Sequence, residues 1–353
     1  MKQGSAISGA PVTESAEEAV RIIQEAGVVG AGGAGFPAYV KYQDPVQLLV
    51  ANGCESEPGY YCDKLLLRDE APRFFDLFQW MADTFGIAHL LMAAEEVAEP
   101  YMQEWLKLSF RDERMSTVFI PPVYKLGEEK ALIKHLFEEK IPKDHIPPQH
   151  GYLVNNVETL YNIHRAVTEK RPVTSKFLHL YGEGFDEVQA LKAPIGTGLT
   201  DLMTLCDVDP ADHGHCKVYD GGPLLARIVC DPYKGSGWTS VTKSTNAFLV
   251  TSPEKDKPRF KHYPSPDYKA NTIDAPWAAK EIRDVTEDID RVRIPLGDKC
   301  VDADETRVEE GDTVEEGDLI VAPAEEGMTV GTHASIPGKV TEVTDAYIEI
   351  ERR

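Results

Sequence analysis

Six cysteines are spread over 353 residues, and no two of them stand in a Cys-x-x-Cys pair. The usual spacings for iron–sulfur clusters and zinc ribbons are therefore missing. Long apolar runs are missing too. Stretches such as Ile87 to Ala94 fall far short of the ~20 residues a membrane-spanning helix needs. Positive charge is scarce, with 37 Lys and Arg against 59 Asp and Glu and a formal net charge of −22. Such a surface repels phosphate backbones and anionic lipid, so neither nucleic acid nor membrane insertion is expected. The opening Met-Lys-Gln-Gly has no apolar signal-peptide core, and the expectation is a soluble cytoplasmic protein with reduced thiols. What is present is ordinary globular composition, 42% hydrophobic and 27% charged. At this length it suggests two or three domains.

In the first half, apolar periodicity switches repeatedly between helix and strand. Glu14 to Ala26 has Ala16, Val20 and Ile23 at helical spacing, with Thr13 or Ser15 placed to cap it. Gln47 to Ala51, Ala88 to Ala94 and Met115 to Ile120 read as strands. Arg73 to Phe85, Pro100 to Leu108 and Glu128 to Glu138 read as helices. This alternation predicts an α/β fold with a parallel sheet and ligands at the strands' C-terminal ends. After Pro172 short β-like runs appear (Lys176 to Tyr181, Cys216 to Tyr219, Ala226 to Val229, Phe248 to Thr251), suggesting a small α+β domain. Ser252 to Trp277 lacks periodicity and reads as a linker or extended wrap.

From Arg291 onward the pattern is all-β, with Glu-Gly-Asp turns between short strands. This module resembles the lipoyl and biotinyl carrier domains, which need a lysine at an exposed hairpin tip. The corresponding stretch, Ala322 to Val330, has none, and Lys339 lies in the following turn. A structural role is expected rather than a swinging arm.

Four clusters carry candidate chemistry. Gly30-Ala31-Gly32-Gly33-Ala34-Gly35-Phe36-Pro37, followed by Lys41, suits backbone contact with a phosphate, or is simply a tight turn. Asn52-Gly53-Cys54-Glu55-Ser56-Glu57-Pro58-Gly59-Tyr60 puts an amide and two carboxylates after a strand, or is a solvated loop. Gly127-Glu128-Glu129-Lys130 opens a helix, where acids also serve the helix dipole. Asn155-Asn156-Val157-Glu158-Thr159 ends a strand, where Asn binds a ligand or caps the next helix. A fifth group, Cys206, His213, His215 and Cys216, sits within eleven residues, but its spacing fits no common zinc pattern. No metal is assigned to it.

In this order the first four motifs resemble the flavin-bearing, NADH-oxidising subunit of respiratory complex I and its relative, the C subunit of the Rnf electron-transport complex. The segments YKLGEEKALIKHL, IGTGLTDLM, GGPLL and TKSTNAFLV resemble the Rnf side. The position of the C-terminal module most resembles the cobalamin reductases of propanediol-utilising microcompartments. The resemblance runs from about Ala16 to the end, apart from Ser252 to Trp277. It implies a Rossmann-like FMN/NADH-binding domain (1–170), a β-grasp domain of the SLBB type (171–252), a linker (253–288) and a barrel-sandwich hybrid domain (289–353).

The resemblance also implies FMN wrapped by Gly30, Gly32, Gly33, Gly35 and Lys41, with Asn52 against the flavin. Asn155, Asn156 and Thr159 match positions around its phosphate and ribityl chain. Glu55 and Glu57 match acids near flavin and nicotinamide. Glu128 and Glu129 match acids near FMN and the NADH ribose, with Tyr124 close to the flavin. The activity implied is that of a soluble FMN-dependent NADH dehydrogenase, in which hydride passes from nicotinamide to flavin without a side-chain acid or base.

One departure is large. The relatives carry cysteine-rich 4Fe–4S segments, whereas Ser252 to Trp277 contains no cysteine. Electrons would then leave through a partner's redox centre, in an iron–sulfur protein, a second flavoprotein or a corrinoid protein, or directly to a small acceptor, with the chain as a complex subunit or homo-oligomer. A smaller departure is Cys54, where the complex I subunit has an acid. The competing readings are a non-catalytic docking or assembly subunit with a vestigial flavin site, and a metal-binding scaffold built on Cys206 and His215.

Overall fold

The computed structural model describes residues 15–55, 57–222, 227–231, 239–252, 271–297, 306–324 and 326–353. Helix α1 (Ala16–Glu25) starts where Ser15 accepts a hydrogen bond from the Glu18 amide. The alternative cap, Thr13, lies outside the described residues. There follow β1 (Leu48–Gly53), α2 (Cys62–Asp69), α3 (Ala71–Phe85), β2 (His89–Glu95), α4 (Gln103–Ser109), β3 (Met115–Ile120), α5 (Glu129–Phe137), β4 (Tyr152–Asn156) and α6 (Val157–His164). The four strands are parallel, in the order β3-β2-β1-β4. This is a Rossmann-like sheet.

Alternate side chains of these strands enter two cores, as strand geometry requires. Leu49, Ala51, Leu90, Met92 and Leu153 join the large core with Phe74, Phe78 and Leu160 of α3 and α6. Val50, Ala93 and Val154 face the other way, onto Leu132 and Ile133 of α5. Helices thus cover both faces, which is why the strands read as nearly continuous apolar runs. Because β1 lies between β2 and β4, a crevice opens at the C-terminal ends of β1 and β4, the switch point where such sheets bind ligands.

The second sheet contains β5 (Ser175–Gly182), β6 (Gln189–Pro194), β7 (Lys217–Asp220), β8 (Arg227–Cys230), β9 (Ala247–Thr251) and β10 (Ile282–Asp284), in the order β10-β6-β5-β9-β7-β8, with α7 (Leu199–Leu205) after β6. Leu202 and Met203 of α7 pack on Leu178, Leu191, Phe248 and Val250 of this sheet. Of the expected linker, 253–270 lies outside the described residues. Its second half behaves differently from a linker, since Ala275 and Ala278 are buried and β10 pairs in parallel with β6. The apolar residues there are too few and too irregular to show periodicity, so only the pairing reveals the strand.

The last strands are β11 (Arg291–Pro295), β12 (Thr313–Val314), β13 (Leu319–Val321), β14 (Thr332–His333), β15 (Gly338–Val343) and β16 (Tyr347–Glu351). They form an antiparallel sheet β11-β16-β15-β12 and a two-stranded ribbon β13-β14. The loop between β13 and β14 is docked rather than free. The Gly331 amide donates to Gln24 O at 3.0 Å. Gln24 Nε2 donates to Thr329 O at 3.2 Å and Lys243 Nζ to Gly331 O at 2.7 Å. Among the described residues no helix is long and apolar enough to cross a membrane.

Candidate functional site

The glycine loop is tied off at its base. Val29 pairs with Pro37, the Ala38 amide donates to Val28 O at 3.1 Å, and the Gly30 amide donates to Phe36 O at 2.7 Å. Gly33 and Gly35 hold φ of +98° and +68°, the left-handed region that disfavours side chains. Gly30 and Gly32 are different. Neither has a left-handed φ, and a methyl group on either would come no nearer than 3.5 Å to any atom beyond its chain neighbours. The protein's own packing does not demand glycine there. What the missing side chains keep open is space in a cleft of about 780 Å³, lined by Gly30, Gly32 and Gly33 and by the ends of β1 and β4. That volume lies within the range of small-molecule and cofactor sites, roughly 300–1,000 Å³.

On the β4 side, Asn156 caps α6. Its Oδ1 accepts from the Glu158 amide at 2.9 Å and the Thr159 amide at 3.4 Å, while its Nδ2 donates to Asp63 at 2.5 Å. Thr159 accepts from the Ala31 amide at 2.9 Å, pinning the glycine loop to α6. Lys41, buried, pairs with Glu129 and donates to Val154 O at 2.9 Å. Asn156→Ala removes a cap and should destabilise the chain by ~1–2 kcal/mol in urea denaturation. Asn155 does not line the cleft. Its Nδ2 donates to the Tyr42 hydroxyl at 2.7 Å, and its Oδ1 is buried without a hydrogen-bond partner. Gly35 is also outside the lining and serves the turn.

On the β1 side, Asn52 Nδ2 donates to Gly127 O at 2.8 Å and its Oδ1 accepts from the Cys54 amide at 3.0 Å. The asparagine therefore joins the strand end to the turn before α5. Glu55, Glu57, Tyr124, Glu128 and Glu129 all line the cleft. Ser56 lies outside the described residues. Asp63, also in the lining, is pushed up to about 7 by burial, with the Glu158 charge adding to it. Burial, with Asp63 beside it, holds Glu55 well above the carboxylate range. Burial also raises the Cys54 thiol, so this cysteine is not a thiolate at neutral pH. Burial, with Glu57 nearby, pushes Tyr124 up to about 12. Two buried ion pairs stand behind these groups, Lys176 with Glu158 and Lys64 with Glu95 at 3.2 Å.

Sequence reasoning missed the far wall. Asp220, Gly221, Gly222, Ser244 and Asn246, all from the second sheet or its loops, line the same cleft. A methyl group on Gly222 would fall 2.1 Å from the Glu57 side chain, so the loops that follow β1 and β7 meet here in close contact. The segments GGPLL and TKSTNAFLV held the signal, although only the resemblance marked them out. Among the described residues no group of three or more His, Cys, Asp or Glu side chains is gathered to hold a metal ion. Within the Cys206–Cys216 stretch, Cys216 Sγ lies 3.8 Å from His215 Nε2 and is buried in the core between the second sheet and α7, while His213 Nδ1 contacts Asp209 O.

Residues 23–165 match the family model described as the Nuo51 FMN-binding domain of the complex I 51 kDa type. Over this segment the chain is similar to the Nuo51 family. Every cleft residue named from the first sheet falls inside the Nuo51 segment. Relatives of the chain include the cobalamin reductase PduS of Salmonella typhimurium, 30% identical over 253 residues covering 70% of this chain and 52% of the relative. The PduS of Citrobacter freundii is 32% identical, covering 65% and 48%. The C subunit of the ion-translocating oxidoreductase complex of Rhodobacter capsulatus is 26% identical, covering 68% and 46%. The chain thus spans about half the length of the curated relatives it matches. An NAD+-reducing [NiFe]-hydrogenase crystallised in the H2-reduced state shares the fold, with a TM-score of 0.56 and 20% identity over 71% of this chain and 49% of that one. By name, the curated relatives are a cobalamin reductase and a subunit of an ion-translocating oxidoreductase complex.

Proposed function

We propose that the cleft holds FMN and that the chain moves electrons from NADH to a partner redox protein. The observation that carries this reading is the side-chain-free face of Gly30 and Gly32, kept open at the switch point of a parallel sheet. FMN, when bound, supplies a ring that accepts hydride and releases electrons. The backbone of the glycine loop, with Lys41 behind it, would hold the phosphate. Asn156 and Thr159 would order the sugar chain, and Asn52 would meet the ring. Glu55, Glu57, Glu128 and Glu129, with Tyr124, would face the nicotinamide nucleotide. Four carboxylates there disfavour a 2′-phosphate, which favours NADH over NADPH.

The donor set fits the group, since its amides, hydroxyl and ammonium suit an anionic, hydrogen-bonding cofactor. The second sheet, apart from β10, would be a β-grasp domain over 171–252, and the C-terminal strands would be a barrel-sandwich module over 289–353. The first unit would then be residues 1–170. No Cys-x-x-Cys pair occurs anywhere in the chain. Electrons would therefore pass to an iron–sulfur, flavin or corrinoid centre on a partner.

Anaerobic titration of FMN-reconstituted protein with NADH tests this directly. Bleaching of the flavin band at one equivalent is the expected result. Bound FMN that NADH leaves oxidised would remove the NADH assignment. Failure to bind FMN would support a docking subunit with a vestigial site.

A further inference from the structure

The segment joining β1 to α2 forms one wall of the cleft, and several of the bonds that hold it come from distant parts of the chain. Asn271, buried, accepts from the Gly59 amide at 3.0 Å and donates to Glu57 O at 3.2 Å. Tyr181 donates to Pro58 O at 3.3 Å. The densest contact is His179, on β5. Its Nε2 faces two amides, those of Tyr61 at 2.8 Å and Cys62 at 3.0 Å, and its Nδ1 lies 3.2 Å from Asn246 O. Tyr60, a cleft residue, stacks on the imidazole with centroids 4.9 Å apart and planes within 10°.

Two N–H groups aimed at one ring nitrogen require a lone pair there. The proton therefore sits on Nδ1 and is donated to Asn246 O, and the imidazole is neutral. The two amides open α2, where helical N–H groups have no intrahelical acceptor. Tyr61, at the cap position, makes no side-chain capping bond of its own. His179 therefore does from 117 residues away what a capping Ser or Asn does locally. The next residue, Asp63, takes its place in the cleft against Asn156.

We propose that His179 is a positioning residue of the cleft, a neutral acceptor on the second sheet that sets the start of α2 and with it the places of Tyr60 and Asp63. Burial presses His179 down to about 3, and the Lys176 and Lys64 cations press the same way. The nearby carboxylates Glu158 and Glu95 are engaged with those lysines. The ring thus keeps one charge state through the physiological range. The proposal rests on the flavin reading only in its last readout.

The test uses the full chain and two variants that separate acceptor from ring. His179→Gln keeps an acceptor near Nε2 and loses the ring, whereas His179→Phe keeps the ring and loses the acceptor. In the ligand-free natural chain, 15N shifts should show a neutral imidazole protonated at Nδ1; protonation at Nε2 would overturn the proposal even if neither variant folds. In His179→Phe the Tyr61 and Cys62 amides should exchange about tenfold faster or more. The Asn156 side-chain amide, which reports Asp63, should also shift. His179→Gln should restore both. Unchanged exchange in His179→Phe, or an unmoved Asn156 signal, would overturn the positioning role. FMN, followed by its fluorescence, should bind His179→Phe about tenfold more weakly and His179→Gln more nearly as it binds the natural chain. If FMN fails to bind the natural chain, the flavin reading falls, and the exchange and Asn156 signals still decide the role of His179.

Discussion

The Asp63→Asn variant should be more stable than the natural chain above pH 7, by on the order of 3 kcal/mol, and no more stable near pH 4. Asp63 has a folded-state pKa of about 7 against its ordinary 3.8, raised by burial first and by the Glu158 charge next. A carboxyl whose folded pKa is raised binds more protons folded than unfolded between those two values. Ionising it in the folded chain is therefore a penalty that is complete above pH 7, shrinks as pH falls and vanishes below about 3.8. Asparagine never ionises, and it keeps an acceptor for Asn156 Nδ2, which lies 2.5 Å away. The Lys176 and Lys64 charges that favour ionised Asp63 are each paired with another carboxylate, so they offset only part of the penalty. Urea denaturation of both proteins from pH 4 to pH 8.5 measures the difference. A gap that stays constant across that range would show that Asp63 does not titrate in the folded chain.

Gly331→Ala should destabilise the chain by ~3 kcal/mol or more, because overpacking against backbone cannot be relieved by a rotamer change. A methyl group there would lie 2.1 Å from Glu25 O and 3.0 Å from the His333 ring. The same glycine donates to Gln24 O at 3.0 Å and accepts from Lys243 at 2.7 Å. Opposite it, Gly27 has φ of +77°, and a methyl group on Gly27 would fall 2.3 Å from Gly331 O. Two backbone segments distant in sequence meet at Gly27 and Gly331, where neither has room for a side chain, and the Lys243 ammonium caps the junction. Gly27 also precedes Val28 and Val29, whose pairing closes the base of the glycine loop. A drop in Tm of several degrees, roughly 2–4 °C per kcal/mol for a chain somewhat smaller than this one, should accompany the change. An unchanged Tm would mean that the β13–β14 loop does not dock on α1 in solution.

Most helices and strands of the Nuo51 segment were legible because their signals are local. Met115 to Ile120 reads as a strand and is one, and Ser15 and Asn156 cap the helices that follow them. Helix α2 was not legible. It begins without a side-chain cap on Tyr61 and is only eight residues long, so neither a start signal nor a full amphipathic repeat marks it. Strand β10 was hidden for a related reason, as three residues in a polar stretch show no period. The carrier-like hairpin loop read correctly as lacking a lysine, but nothing in its composition showed that it would rest on α1 and Lys243.

The order of residues by itself determined a parallel α/β sheet, a glycine loop before its first strand, and amide- and acid-rich turns at strand ends. Each of these follows from spacing within a few residues, where apolar period, caps and turn chemistry act. Only the tertiary structure decided that the cleft has a second wall, that Asn155 faces Tyr42 instead of the cleft, and that His179 and Asn271 hold the acidic segment in place. Those contacts join residues more than a hundred positions apart. A buried histidine on a strand looks the same in sequence whether it fills a core or caps a distant helix, and the difference arises only when two sheets pack.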